Sequence, residues 1–350
     1  MSGKAWAWRR VCVNWAMNWR FSHRRYRLLF RFPLRTAHGE WKEREGIYVR
    51  LEDGAGVARY GEAAPIPWFG TETADEVEAA CRALGASLDP EAIAAIPAKL
   101  GRLRSALAGA LAEESAIPKT TSLPVAAFLP AGRAAIAAAE PKVEMGFRVF
   151  KWKVGVTDVS DELVVLDDLC AVLPANARLR LDANGAWDRR SAERWLKRCA
   201  DRPVEFVEQP IAPASRGADD LLLGLAADYP TPLALDESLV GDGDIDRWLG
   251  LGWRGVFIVK PSLLADLPGA LGRLTAARSA VVFSAALETA IGAQTALRAA
   301  FRWPGEQRAL GFGVWPIFVD SRFDGPAAVP FLRWEDVERI NPETLWNALS

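Results

Sequence analysis

The chain is short of the residues from which most nucleophile and transition-metal sites are built. It has two histidines, His23 and His38, both near its beginning, so no Ser-His-Asp relay and no His-ligated metal can be assembled in the long periodic part that follows. Its four cysteines, Cys12, Cys81, Cys170 and Cys199, include no Cys-x-x-Cys pair. That argues against a zinc module or a secreted disulfide framework and makes a reducing cytoplasm the expected home. Charge of one sign is also missing. The 43 basic and 44 acidic residues leave a formal charge of -1, which provides no field to gather nucleic acid or an anionic membrane. No apolar run is long enough to span a bilayer, and the opening residues lack the apolar core and cleavage site of a secretory signal. Gly311-Phe312-Gly313 lacks the further glycine of a dinucleotide fingerprint.

What is present is a ladder of charge. Lys153, Asp182, Glu208, Asp236 and Lys260 follow one another at steps of 29, 26, 28 and 24 residues, and each closes a short apolar run such as Leu179-Arg180-Leu181-Asp182 or Val256-Phe257-Ile258-Val259-Lys260. Runs of this kind read as buried parallel strands, and the interval is that of a strand, a helix and the next strand. Closing such units into a TIM-type (β/α)7β barrel brings every strand's C-terminal end to one face. Three carboxylates and at least two lysines then converge. Carboxylates so close repel unless a cation neutralises them, and hard oxygen ligands without His or Cys favour Mg²⁺, with Mn²⁺ as the alternative. Taken singly, each acid could instead cap the next helix, and each lysine could be a solvated strand end.

The barrel is expected over 123–314, opening with Leu123–Pro130, with a seventh run at Ser279–Ser284 and a short eighth near Ala309–Val314. Ahead of it, alternating runs at Tyr26–Phe30, Gly46–Leu51 and Gly56–Gly61 predict an antiparallel meander, followed by helices at Thr73–Leu88 and Pro90–Glu114. Strands followed by helices suggest a separate α+β capping domain over 25–122, completed by the tail at 315–350. Residues 1–24, with Trp6, Trp8, Trp15 and Trp19 among Arg9, Arg10 and Arg20, are expected to be a poorly ordered extension, with Met17 as an alternative start; an interfacial anchor is the competing reading.

The motifs Lys151-Trp152-Lys153, Asp182-Ala183-Asn184, Glu208-Gln209-Pro210, Asp236-Glu237-Ser238 and Lys260-Pro261-Ser262 resemble, in order and spacing, the enolase superfamily and its muconate-lactonizing subgroup. The resemblance implies that Asp182, Glu208 and Asp236 ligate Mg²⁺ and that Lys153 and Lys260 stand on opposite faces of a small-molecule carboxylate. A lysine that abstracts a proton next to a carboxylate must be neutral part of the time, against a free-amine pKa of about 10.4, and a neighbouring cation such as Lys151 helps to bring this about. Asn184 and Glu237 would orient the ligands, unless they serve only as loop and cap residues. The segments Phe32–Gly39, Pro65–Thr73, Lys260–Leu263 and Ser284–Gly292 look like those of the o-succinylbenzoate synthase family. That implies dehydration of 2-succinyl-6-hydroxy-2,4-cyclohexadiene-1-carboxylate on the way to menaquinone.

Ser262 and Ser284 would then hold the succinyl carboxylate, unless they cap helices. Arg180 would tune the site, or else form a salt bridge inside the barrel. Ala285 and Ala286 depart from the pattern, standing where many relatives carry another serine. The competing enzyme reading is an N-acylamino acid racemase or dipeptide epimerase, which the lysine pair permits equally well; the lack of an Asp-x-Asp after the seventh strand disfavours dipeptide epimerisation. A non-catalytic binding barrel would need relic acids and lysines. The sequence leaves a homo-oligomer open.

Overall fold

The computed structural model describes residues 18–36, 39–112, 118, 120–327 and 329–349. Trp6, Trp8, Arg9, Arg10, Cys12, Trp15, Met17 and His38 lie outside the described residues.

The first layer is a four-stranded antiparallel sheet in the order β3-β2-β1-β4, from β1 (Trp19–Thr36), β2 (Gly39–Glu52), β3 (Ala58–Ala63) and β4 (Ser87–Leu88). The first two strands are longer than the alternation suggested. Trp19 and Phe21, expected within the extension, are buried strand residues in a core with Ile47, Val49 and Leu51. Behind the sheet lie α1 (Ala74–Leu84), α2 (Pro90–Ala94) and α3 (Gly101–Leu111). The helix expected to run to Leu88 stops at Gly85, whose φ of 75° is left-handed, and Ser87–Leu88 pairs with β1 instead. A Cβ on Gly61 would meet the Ala106 carbonyl oxygen at 1.9 Å, so only glycine lets β3 lie this close to α3.

The second layer alternates strands and helices. After β5 (Ser122–Pro124) come β6 (Ala127–Leu129), α4 (Ala134–Glu144), β7 (Val149–Lys153), α5 (Val159–Val172), β8 (Arg178–Asp182), α6 (Arg189–Cys199) and β9 (Val204–Glu208). Then follow α7 (Ala218–Asp228), β10 (Leu233–Leu235), α8 (Asp242–Gly250), β11 (Val256–Val259), α9 (Leu267–Ala276), β12 (Ala280–Phe283) and α10 (Ala290–Phe301). β6 to β12 form one seven-stranded parallel sheet in sequence order. It is curled, and isolated parallel bridges Val125–Leu310 and Ser284–Gly311 reach the eighth run from either side. The run expected as the first barrel strand is divided: β5 pairs with β13 (Phe331–Arg333), and only Ala127–Leu129 enters the parallel sheet.

Side chains alternate across this sheet. Phe150, Trp152, Leu179 and Leu181 pack against the helices, where Trp187 and Trp195 stack at 5.0 Å. Phe206, Ala234, Val256, Ile258 and Val282 fill the opposite side. After β13, α11 (Trp334–Glu338) and α12 (Pro342–Asn347) end the chain. The tail returns to the first layer, where Phe318, Leu345 and Trp346 join Tyr26, Phe30 and Tyr48 in a core.

Candidate active site

Every rung of the ladder lies at the C-terminal end of a parallel strand. Lys153, Asp182 and Glu208 are the last residues of β7, β8 and β9, while Asp236, Lys260 and Ser284 come immediately after β10, β11 and β12. In the register Lys153 faces Asp182 and Asp182 faces Glu208. Capping does not account for the acids: α6 is capped by Asp188, and α7 and α8 start after Gly217 and Gly241. The serines are not caps either, because Asp266 caps α9 and Thr289 precedes α10.

The three acids are buried, Glu208 most deeply at 1% exposure. Lys151 Nζ lies 2.7 Å from Glu208 Oε1 and 2.8 Å from Asp182 Oδ2, and Lys260 Nζ donates to Asp236 Oδ1. Burial, then Asp182 alongside, pushes Glu208 well above the ordinary glutamate value. Burial works against the charge on both lysines, but the carboxylates outweigh it: Asp182, Glu208 and Asp236 raise Lys151, and Asp236 with Glu237 raises Lys260. Lys153 differs. It lines the cavity and has no hydrogen-bond or ion-pair partner among the described residues.

Among the described residues, no three His, Cys, Asp or Glu side chains are drawn together tightly enough to hold a metal ion as they stand. Two ammonium groups take the place of counter-cation between the carboxylates. Buried carboxylates on neighbouring strands need positive charge from some source, and an all-oxygen donor set fits Mg²⁺. The site's own chemistry therefore suits the ion.

The surrounding shell fixes the acids. Asn184 Nδ2 donates to Glu237 Oε1 at 2.9 Å, and the Asn184 amide donates to Asp182 Oδ1 at 3.2 Å. Glu237 is pushed up to about 7 by burial and by Asp236. Gln209, with no role assigned from sequence, is fully buried. Its amide oxygen accepts from the backbone N–H of Asp236 and Ser238 at 2.9 and 3.1 Å, and its nitrogen donates to Ser238 Oγ at 2.8 Å. Asn184 and Gln209 have φ of 43° and 37°, a left-handed backbone costing about 1 kcal/mol per residue, held here by these bonds. The sequence signal for Gln209 was its place directly after Glu208.

A cavity of about 560 Å³ opens over this rim. Lys151, Lys153, Asp182, Asp236 and Lys260 line its floor; Leu34, Trp41, Ile66, Trp68 and Phe69 from the first layer line its roof. Lys260 Nζ sits 4.9 Å from the centre of the Phe69 ring and Lys151 Nζ 5.8 Å from that of Phe128, distances at which an ammonium interacts with the ring face. Ser284 lines the cavity and donates to the Gly311 carbonyl at 3.2 Å.

Two expected substrate contacts fall elsewhere. Arg180 is 2% exposed, donates to both oxygens of Glu205 at 2.7 and 3.3 Å and to the Ala309 carbonyl at 2.7 Å, and lies over Phe206. The cause is a register slip between β8 and β9, where Arg180 pairs with Phe206 after Leu179 pairs with Val204; the extra residue, Glu205, reaches Arg180. Arg180 is thus the salt bridge inside the sheet. Ser262 borders not the large cavity but a space of about 10 Å³ shared with Glu62, Ser105, Gly292 and Thr295, where its hydroxyl has no protein partner.

Residues 134–305 match the family model described as Enolase C-terminal domain-like. The chain is 42% identical over 289 residues to an o-succinylbenzoate synthase of Thermosynechococcus vestitus, covering 81% of this chain and 88% of that protein. A hydrophobic dipeptide epimerase of Roseobacter litoralis is 30% identical over 61% of this chain and 67% of its own length. Among solved structures, an o-succinylbenzoate synthase from Thermosynechococcus elongatus complexed with Mg in the active site superposes with a TM-score of 0.81 at 37% identity, covering 94% of this chain and 99% of that one. By these likenesses the chain belongs to the enolase superfamily, within the family of the o-succinylbenzoate synthases.

Proposed function

We propose that the protein is a cytoplasmic, Mg²⁺-dependent o-succinylbenzoate synthase, which converts 2-succinyl-6-hydroxy-2,4-cyclohexadiene-1-carboxylate to o-succinylbenzoate and water in menaquinone synthesis. The observation that carries it is the 42% identity to such a synthase over 81% of the chain, in which the ladder is complete. The parallel sheet together with the run at 309–314 is read as a (β/α)7β barrel, and the first layer with the tail as its capping domain. No helix among the described residues is long and apolar enough to cross a membrane.

Asp182, Glu208 and Asp236 would hold the metal, with Asn184 and Glu237 steadying them. When bound, Mg²⁺ supplies positive charge against the negative charge that develops on the ring carboxylate. Lys153, the one lysine of the rim without a carboxylate partner among the described residues, removes the proton from the ring carbon bearing the carboxylate. It then returns that proton to the departing hydroxyl on the same face, so water leaves and the ring becomes aromatic. Lys260 comes from β11, four strand positions from β7, and so approaches the opposite face as an ammonium. Lys151 stays charged between the acids and keeps a second positive charge near the base.

Epimerisation would use the same two lysines. Against it stands the wall after β12: Ser284, Ala285 and Ala286 line the cavity and offer no carboxylate to a substrate ammonium. Purified protein supplied with the cyclohexadiene, beside N-succinylamino acids and dipeptides, tests the reading. Dehydration is expected to exceed racemisation in kcat/KM by about a thousandfold. Efficient racemisation with negligible dehydration would replace the synthase with the epimerase.

A further inference from the structure

Among the described residues, the most deeply buried cation outside the rim is Arg44 on β2, 1% exposed. Its guanidinium meets no carboxylate within salt-bridge distance among the described residues; all its hydrogen bonds go to backbone carbonyls. Two of these follow β3: Nη2 donates to Ala64 O at 2.6 Å and Nη1 to Pro65 O at 2.5 Å. Two follow β12: Nε donates to Leu287 O at 3.0 Å and Nη2 to Ala286 O at 3.4 Å. A fifth, from Nη1 to Glu45 O at 3.2 Å, is local. One side chain thus ties together two segments 221 residues apart in sequence, counted from Pro65 to Ala286.

Both segments run directly into the cavity wall. Ala64 and Pro65 lead into Ile66, Trp68 and Phe69, while Ala286 and Leu287 themselves line the cavity. Ile66 and Ala286 pack together with Leu263, three residues after Lys260. Leu287 has φ of 57°, a left-handed backbone that turns its carbonyl to Arg44 Nε. The roof is also thin. Trp41 and Trp68, in edge contact at 4.6 Å, line both the active-site cavity and an outer cavity of about 330 Å³ that Arg44 borders.

We infer that Arg44 is the positioning residue of the roof: by clamping Ala64 and Pro65 to Ala286 and Leu287 it holds Phe69 over Lys260, keeps the two cavities apart, and so restricts the site to a flat ring. Carbonyl acceptors suit this task because a backbone oxygen is fixed by its segment, whereas a carboxylate would follow its own rotamers. The planar five-donor fork suits it because a point charge reaches fewer acceptors at once. The substrate restriction rests on the proposed synthase activity; the clamp does not.

The test uses Arg44→Met and Arg44→Lys in the full chain. Steady-state kinetics on the cyclohexadiene and on N-succinylphenylalanine are measured together with amide hydrogen exchange followed by mass spectrometry, and the lysine variant keeps the buried charge should the methionine variant not fold. Exchange is expected to rise together in 64–72 and 284–289 while β7 to β9 stay protected. KM for the cyclohexadiene is expected to rise about tenfold with kcat within about threefold, and relative turnover of the bulkier acyl amino acid should increase. Unchanged exchange in both segments, or a rise in one alone, overturns the clamp; coupled exchange with unaltered KM and substrate ratio overturns its role in selectivity. A wild-type enzyme that fails to dehydrate the cyclohexadiene refutes the proposed function and leaves the exchange result to judge the clamp.

Discussion

At the rim of the parallel sheet, charge is set against charge across neighbouring strands; in the roof above it, a single charge is buried against backbone carbonyls. Lys151 pairs with carboxylates from the two strands that follow it and Lys260 with one from the strand before it, and Arg44 binds chain segments that no regular ladder connects. The rim is suited to hold and exchange cations and protons, since its partners are themselves titratable. The roof is suited to hold shape, since a peptide carbonyl has no second protonation state. Chemistry and selectivity are thus assigned to different layers, and substitutions in the two should fail in different ways.

The largest effect is expected at the rim. Lys153→Ala should lower kcat for dehydration by roughly a thousandfold or more, the scale of a lost general base, and should abolish exchange of the substrate proton with solvent. Mg²⁺ affinity and melting temperature should remain near those of the parent. Retained turnover in Lys153→Ala, with Lys151→Ala inactive, would exchange the roles of the two lysines.

The rim was legible in the sequence because each of its residues ends an apolar run at a fixed interval, so spacing alone implied convergence. Roof contacts depend on which distant carbonyls meet, and nothing in the run around Arg44 announces Ala286. Arg180 shows the limit within the sheet itself: two-residue spacing rightly put it on the face of Asp182, but the bulge that delivers Glu205 has no marker in the sequence. The division of the run at 123–130 into β5 and β6 was hidden for a similar reason, since β5 takes its partner from residues 331–333.

Next in size is a pH effect behind the cavity wall. Glu288, fully buried beside Arg44's segments, accepts from the Ala286 amide at 2.5 Å and is pushed up to about 7 by burial, with Glu62 adding to it. In the unfolded chain this carboxyl loses its proton in the ordinary acid range, while the folded protein keeps it until near neutrality. Stability should therefore decline as pH rises from that range to about 7 and level off above it. Glu288→Gln stays neutral and should remove this group's share of the decline, gaining ~3 kcal/mol relative to the parent between pH 4 and pH 8 in urea melts. Parallel curves for the two proteins would contradict it.

Arg180→Met should separate the interior of the sheet from its rim. Glu205 keeps Arg308 at 3.0 Å, so the loss is expected to be ~2 kcal/mol of stability, read as a lower urea midpoint, with KM unchanged. A raised KM at unchanged stability would return Arg180 to the substrate. The smallest effect is expected for Ser284→Ala: a rise in KM of a few-fold, under ~1 kcal/mol, with no change in Mg²⁺ affinity.

The most direct measurement follows the aromatic product of the cyclohexadiene by absorbance, using protein stripped of metal by a chelator and then resupplied with Mg²⁺. The carboxylate rim predicts no product from the stripped protein, full recovery on adding Mg²⁺, and none at either stage from Lys153→Ala. Undiminished product from the stripped protein, or recovery in the absence of Lys153, would contradict the assignment of acids and base on which the account stands.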